Sequence, residues 1–153
     1  MQLECTVNGK QYKEHIEADT LLIDFIRDIG FLSVKRGCDT GSCGLCTVWV
    51  DEKPVLSCSI LAAMAQGKCI TTLEGVDKEA EEFGMFLADE GAEQCGFCSP
   101  GFVLTVLAMK RELEEPTEEA IKDYLSGNLC RCTGYMGQLR AIVKYLQAGR
   151  GEA

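Results

Sequence analysis

The sequence predicts an α+β chain in two consecutive units: a small mixed sheet that grips one helix over residues 1–76, then four helices over 77–153. Three observations carry that prediction. Short alternations of apolar and polar residues, separated by turn signals, crowd the first half, as half-buried strands require. The second half instead shows helix start signals and helical apolar spacing, without β-branched alternation. Eight of the ten cysteines also fall into two sets of four, one set in each half.

Taken in order, Leu3, Cys5 and Val7 alternate with polar neighbours and read as a first strand. Asn8-Gly9 follows, a pair that tolerates the left-handed conformations of a type I′ hairpin, so a return strand is expected over 10–16. Asp19 or Thr20 is placed to cap a helix whose apolar face is Leu21, Leu22, Phe25, Ile26 and Ile29, with Gly30 just past its end. Thr47–Val50 and Pro54-Val55-Leu56 make a second hairpin across Asp51-Glu52-Lys53, and residues 69–73 read as a last strand. Helices are expected over 78–89, 100–113, 118–125 and 138–147. Ser99 is the expected cap before Pro100, and Thr117 the cap before Glu118 and Glu119, whose charges oppose the helix dipole. Gly149 follows the last helix.

With 46% hydrophobic and 25% charged residues the composition is that of a folded globular chain. Net charge is −9, from 15 basic and 24 acidic residues, which argues against nucleic acid as a partner. The longest apolar stretch, around Phe102 to Met109, is too short to span a bilayer, so no membrane association is expected. The first residues lack the basic region and apolar core of a secretory signal. Many cysteines without an export signal point to the cytoplasm, where thiols bind metal more often than they pair as disulfides.

The first set reads Cys38-x4-Cys43-x2-Cys46-x11-Cys58, among Gly37, Gly41 and Gly44. That is the plant-type spacing for a [2Fe–2S] cluster. The glycines let the loop bend sharply and leave backbone N–H groups free to face sulfur. The second set reads Cys95-x2-Cys98-x31-Cys130-x1-Cys132. Each of its pairs lies just before a predicted helix, so two helix hairpins meeting at their cysteine loops would gather four sulfurs with approximate two-fold symmetry. Spacing alone leaves this set open to zinc as well as to iron–sulfur. Cys5 and Cys69 lack partners at ligand spacing and read as small core residues, as Met85 and Met109 read as helix-core residues. The sole histidine, His15, lies on a polar strand and reads as a surface residue. Arg131, between two ligands, suits either a counter-charge to an anionic cluster or a structural salt bridge.

The residues around both sets resemble one family over nearly the whole chain. They are the run from Gly37 to Val48, Pro54-Val55-Leu56-Ser57-Cys58, the run from Ile70 to Gly75, Gln94-Cys95-Gly96-Phe97-Cys98-Ser99-Pro100-Gly101, and the run from Gly127 to Tyr135. The chain is similar to the iron–sulfur small subunits of the molybdenum hydroxylases, the xanthine dehydrogenase and carbon monoxide dehydrogenase family. The resemblance implies a β-grasp ferredoxin-like domain followed by a four-helix domain, each holding one [2Fe–2S] cluster. It implies partners as well, a large molybdopterin subunit and an FAD-binding medium subunit, expected as separate chains. It carries over to Gln94 the role of reaching the pterin, against the alternative that this residue braces the Cys95 loop. Electrons would pass singly from the molybdopterin centre through the Cys95/Cys98/Cys130/Cys132 cluster to the Cys38/Cys43/Cys46/Cys58 cluster and on to the flavin. The chain itself offers no catalytic residue and would serve as the electron-transfer subunit of an oxidoreductase.

Two departures from the pattern stand out, Ser99 for the usual threonine and Gln138 for the usual apolar residue. The N-terminal run Leu3 to Gly9, together with Ser33-Val34-Lys35, resembles xanthine-dehydrogenase-type subunits and points to a purine substrate. A free-standing two-cluster electron carrier and a structural zinc module are the other readings.

Overall fold

The computed structural model describes residues 1–149; the last four residues of the second predicted unit lie outside them. Five strands form one mixed sheet in the order β2-β1-β5-β3-β4. They are β1 (Gln2–Val7), β2 (Lys10–His15), β3 (Thr47–Val50), β4 (Lys53–Leu56) and β5 (Cys69–Thr71). All neighbours are antiparallel except β1 and β5, which run parallel. Helix α1 (Leu22–Asp28) packs against the sheet through Leu22, Ile23, Phe25 and Ile26, which join Leu3, Val7, Val48 and Ile70 in one core. Burying four such side chains contributes about 1.5–3 kcal/mol each.

The hairpin from Asn8-Gly9 forms as its sequence requires, with φ of 49° and 79° at the two turn residues. Its Asn8 does a second job. The side chain accepts from the Thr72 N–H at 2.9 Å and donates to the Thr72 hydroxyl at 2.8 Å. This clamp turns the chain after Thr71, so Leu73 enters a 3₁₀ turn (Leu73–Gly75) instead of extending β5. The second hairpin is tighter than expected: Asp51 and Glu52 alone make the turn, both at positive φ, and Lys53 already belongs to β4.

Helices α2 (Asp77–Asp89), α3 (Ser99–Glu112), α4 (Glu118–Tyr124) and α5 (Met136–Ala148) form the second core. Helix α3 is its axis, buried on nearly every side from Pro100 to Met109, as an all-round apolar helix must be. Phe83 of α2 packs on Phe102 and on Tyr145 of α5, with ring centroids 6.0 and 5.0 Å apart. Thr117 caps α4 by accepting from the Ala120 N–H at 3.2 Å.

Other expected caps are not made. Neither Asp19 nor Thr20 caps α1; Leu21 holds that position, and the Leu22 N–H donates to the Ile60 carbonyl at 2.8 Å, so another backbone segment satisfies the helix end. Cys98 is the N-cap of α3, and Ser99 is its first residue, its hydroxyl donating to Glu93 at 2.6 Å. Cys69 is exposed rather than core, because the alternation of β5 turns Ile70 inward and Cys69 outward. Met85 is also exposed, at 59%, on the outer face of α2, whereas Met109 and Cys5 are buried as expected. His15 lies exposed on the edge strand.

The two cores share a wall. Strand β3 sends Val48 into the sheet core and Trp49 into the helical one, where the indole N–H donates to the Leu104 carbonyl at 3.0 Å. The Arg111 guanidinium covers the indole at 3.8 Å and donates to the Glu52 carbonyl. Nearer the cysteines the contact is backbone on backbone. A Cβ built on Gly101 of α3 would lie 2.3 Å from the Gly44 carbonyl oxygen and 3.0 Å from the Leu45 Cα. We therefore predict that Gly101→Ala destabilises the protein by about 1–3 kcal/mol in urea unfolding, since backbone must move to admit the methyl group. Gly84→Ala, mid-helix with nothing within 4 Å of the new Cβ, serves as control and should stabilise by about 0.5–1 kcal/mol. Equal midpoints for the two variants would refute the close packing at Gly101.

Candidate metal centres

The first loop, residues 37–46, connects α1 to β3 and has little regular structure. It is fixed by what it touches. Gly44, at φ +74°, sits where a Cβ would lie 2.5 Å from the Gly127 carbonyl and 2.6 Å from the Asn128 side-chain nitrogen. The Thr47 hydroxyl donates to the Gly44 carbonyl at 2.7 Å, and the Ser57 hydroxyl to the Cys46 carbonyl at 2.7 Å. The 3₁₀ turn Ser57–Ser59 then presents Cys58 beside Cys46.

The second site joins the turn before α3 to the turn before α5, so both halves of its cysteine set are delivered by helix entries. Cys98 caps α3 itself. Cys130 is held by two neighbours of its own loop. Its N–H donates to the Tyr135 hydroxyl at 2.9 Å, and the Thr133 hydroxyl lies 3.2 Å from its sulfur. Tyr135 adopts a left-handed conformation at φ +68°, which costs a non-glycine residue about 1–2 kcal/mol and is offset by that hydrogen bond. Sequence reasoning did not find these contacts. The only signal was the Thr-Gly-Tyr run, where Gly134 and Tyr135 take consecutive positive φ values.

All eight predicted cysteines are drawn to these two sites, and all are free thiols. They meet two by two: Cys38 with Cys43, Cys46 with Cys58, Cys95 with Cys132 and Cys98 with Cys130. The Cys95 and Cys132 sulfurs are 3.5 Å apart. Among the described residues no three His, Cys, Asp or Glu side chains converge as a single-ion site. Two thiol pairs per site are the donor set that a two-iron core takes, with soft sulfur ligands on each iron.

The thiols are unequal. Backbone N–H groups of Thr40 and Ser42, the Cys43 thiol and the Cys43 N–H bring Cys38 down to about 5. Burial pushes Cys43 up. Burial also takes Cys46 up to about 11, with the Cys58 N–H opposing the rise and the Cys58 thiol adding to it. In the second site the Phe97 N–H, then the Cys132 thiol, lower Cys95, while Cys132 is raised by the same contact. Burial pushes Cys130 up, but the Thr133 hydroxyl and the N–H groups of Cys132 and Thr133 outweigh it and hold the thiol low. Its neighbour Cys98 rises to about 11, from burial first and Cys130 second. Each site thus holds thiols lowered by donated hydrogen bonds beside thiols raised by burial, and the raised ones must release a proton to ligate.

Gln94 is exposed, next to Cys95, and borders a small pocket with Cys98, Cys130 and Cys132. The brace in that loop is the Glu93–Ser99 hydrogen bond. Arg131 is exposed and, with Cys38, Cys43, Cys95 and Cys130, lines a groove of about 420 Å³ shared by both sites. One hydrogen bond spans the two ligand loops directly: the Leu129 N–H donates to the Cys43 carbonyl at 2.9 Å.

A fold of this kind, with two cysteine-lined centres, defines a protein with two [2Fe–2S]-binding domains. The chain matches the 2Fe-2S iron-sulfur cluster binding domain family over residues 5–90 and the [2Fe-2S] binding domain family over residues 72–143. It is 47% identical to the xanthine dehydrogenase iron-sulfur-binding subunit of Escherichia coli O157:H7, over 87% of this chain and 86% of that one. It is 40% identical to the nicotinate dehydrogenase small FeS subunit of Eubacterium barkeri, over 94% and 92%. In structure it is similar to a chain of quinoline 2-oxidoreductase from Pseudomonas putida 86, with a TM-score of 0.88 at 35% identity and coverage of 100% and 98%. The chain belongs to the iron–sulfur small-subunit family of the xanthine dehydrogenase-type molybdenum hydroxylases, and is a subunit of an oxidoreductase complex.

Thiol reactivity in the iron-free protein follows from the shifts above. Lowering the Cys38 pKa keeps its thiolate present above about pH 5 and loses it as pH falls through that value. Alkylation mapped by mass spectrometry should therefore label Cys38 at a rate that is flat near neutrality and declines toward pH 5. Cys46 and Cys98 should stay unlabelled until far more alkaline pH. Equal labelling of all three at neutral pH would contradict the hydrogen bonds assigned to Cys38.

Proposed function

We propose that Cys38, Cys43, Cys46 and Cys58 hold one [2Fe–2S] cluster, that Cys95, Cys98, Cys130 and Cys132 hold the other, and that the chain conducts single electrons between a molybdopterin centre and a flavin on partner subunits. When bound, each cluster accepts and returns one electron. The observation that carries this reading is the Leu129–Cys43 hydrogen bond. From the Cys130 sulfur to the Cys43 sulfur the route runs through covalent bonds and that single hydrogen bond. The residues of this chain keep the two centres at a fixed separation, shield Cys43 and Cys46 from solvent, and turn backbone N–H groups toward sulfur. We assign the substrate chemistry to the molybdopterin partner.

The second centre is the end we assign to the pterin. Its ligands Cys95 and Cys132 are exposed, and so is Gln94, to which we assign the contact with the pterin. The first centre then faces the FAD subunit. We place the boundary between the two cluster-holding units at residues 76 and 77, where the 3₁₀ turn Leu73–Gly75 hands over to α2. A purine is the substrate class we infer for the complex, on the 47% identity to a xanthine dehydrogenase subunit. No helix among the described residues is long and apolar enough to cross a membrane. With that and ten free thiols, we place the complex in the cytoplasm.

The test is isolation of the native complex. Iron and labile sulfide should co-purify with molybdenum and flavin in fixed ratio, and xanthine should reduce the iron. Zinc without labile sulfide would end the cluster reading, and a stable free chain would favour a separate carrier. Cys95→Ser or Cys132→Ser should abolish one of two EPR signals and stop turnover while the pterin stays bound; loss of both signals with the fold intact would contradict two separate sites. Gln94→Ala should slow electron transfer out of the molybdenum centre in stopped flow, and unchanged reductive kinetics would remove it from the pterin contact.

A further inference from the structure

Helix α5 buries one amide among its apolar residues. Gln138 is 4% exposed, beside Leu139, Ala141 and Ile142. It borders both small pockets that contain Cys98 and Cys130. Its Oε1 lies 3.1 Å from the Thr133 hydroxyl. That hydroxyl is also 3.2 Å from the Cys130 sulfur and accepts from the Tyr135 N–H at 3.3 Å.

The proton count decides how these groups are arranged. A threonine hydroxyl has one proton and two lone pairs. One lone pair is taken by the Tyr135 N–H. The single proton has two candidate acceptors, the Cys130 sulfur and Gln138 Oε1, and cannot serve both. A metal-bound thiolate is charged, and charge-assisted hydrogen bonds are roughly twice as strong as neutral ones, so the proton goes to sulfur. Two oxygens would then face each other at 3.1 Å unless the amide turns over. The two ends of an amide differ little in shape, and their assignment follows from the hydrogen-bond network. Turned over, the Gln138 N–H donates to the second lone pair of Thr133, so the one proton and both lone pairs of that hydroxyl are matched.

We propose that Gln138 is a positioning residue for the second cluster: its amide N–H donates to the Thr133 hydroxyl, which holds the hydroxyl proton on the Cys130 sulfur and raises the reduction potential of that centre. The proposal rests on the ligand assignment made above. Reduction adds negative charge that the sulfur ligands share, so a donor fixed on sulfur favours the reduced form. The chain from amide to hydroxyl to sulfur polarises in one direction, which strengthens the last bond. An apolar residue at position 138 leaves the hydroxyl proton free to rotate away from sulfur.

The experiment is an EPR-monitored redox titration of the isolated complex carrying Gln138→Leu. At the potential where the second cluster of the parent is half reduced, the ratio of reduced to oxidised cluster should fall about threefold to tenfold; tenfold is about 59 mV for one electron. The first cluster serves as internal control and should not move. Thr133→Val should give a larger fall, and adding Gln138→Leu to it no further fall, because the amide acts only through the hydroxyl. An unmoved second-cluster potential with both signals intact overturns the role of Gln138, as do additive falls in the double variant. If the leucine variant does not load iron, Gln138→Met, similar in volume and also without a donor, is read in the same way. Cys130→Ser with both signals retained would instead overturn the ligand assignment beneath the proposal.

Discussion

The structure depends on a backbone-to-backbone contact at Gly44. That residue has the start of α3 on one side, where Gly101 leaves no room for a Cβ, and the Gly127-Asn128 turn on the other. Side chains at these positions would push the loops apart. Without them the first cysteine loop lies directly on both segments that carry the second cysteine set. The Leu129–Cys43 hydrogen bond exists because of this approach, and the route between the centres depends on it. The Asn128 side chain secures the turn by donating to Thr105 of α3 at 3.1 Å, while Thr105 donates to the Gly101 carbonyl. Small residues and short polar ones thus set a distance that a larger apolar core could not.

Each centre balances burial against hydrogen bonding. Burial makes thiolates costly, and it is the leading cause of the rise at Cys43, Cys46 and Cys98. Donors fixed in the fold work against that cost at Cys38, Cys95 and Cys130. Most are backbone N–H groups that glycine-rich turns leave unpaired, so they cannot swing away when a charge arrives. Cys98 adds the positive end of α3, whose N-cap it occupies, to the most buried part of its site. A bound cluster replaces the protons of the reluctant thiols and removes the reason for their reluctance.

Much of this was legible in the sequence, for local reasons. Asn8-Gly9 dictated its hairpin, Thr117 its cap and Gly30 its helix end, because each acts within a few residues of itself. The cysteine spacing marked both sets, and in the fold those eight thiols meet as four neighbouring pairs. What sequence reasoning missed depends on distant partners. The α1 end is satisfied by the Ile60 carbonyl, so Asp19 and Thr20 were not needed as caps. Cys69 and Met85 are apolar by type, but their exposure depends on which face of β5 and α2 the cores claim. Gln138 was visible as a departure from the family pattern, yet its partner Thr133 became apparent only once the turn brought the two together.

Strand β3 gives Val48 to one core and Trp49 to the other, and this has a consequence in time. During synthesis β3 emerges well before α3. The indole then has neither its acceptor at Leu104 nor the cover of Arg111 until some sixty further residues have followed. A nascent chain that closed its sheet early would display that tryptophan on an open apolar wall, the kind of surface that attracts chaperones and neighbouring chains. The first cysteine loop, which leans on the same late-arriving helix, finishes folding only when the helical half docks. Under the ligand assignment proposed above, the first centre would then be completed only after the helical half has docked, although its cysteines are made first.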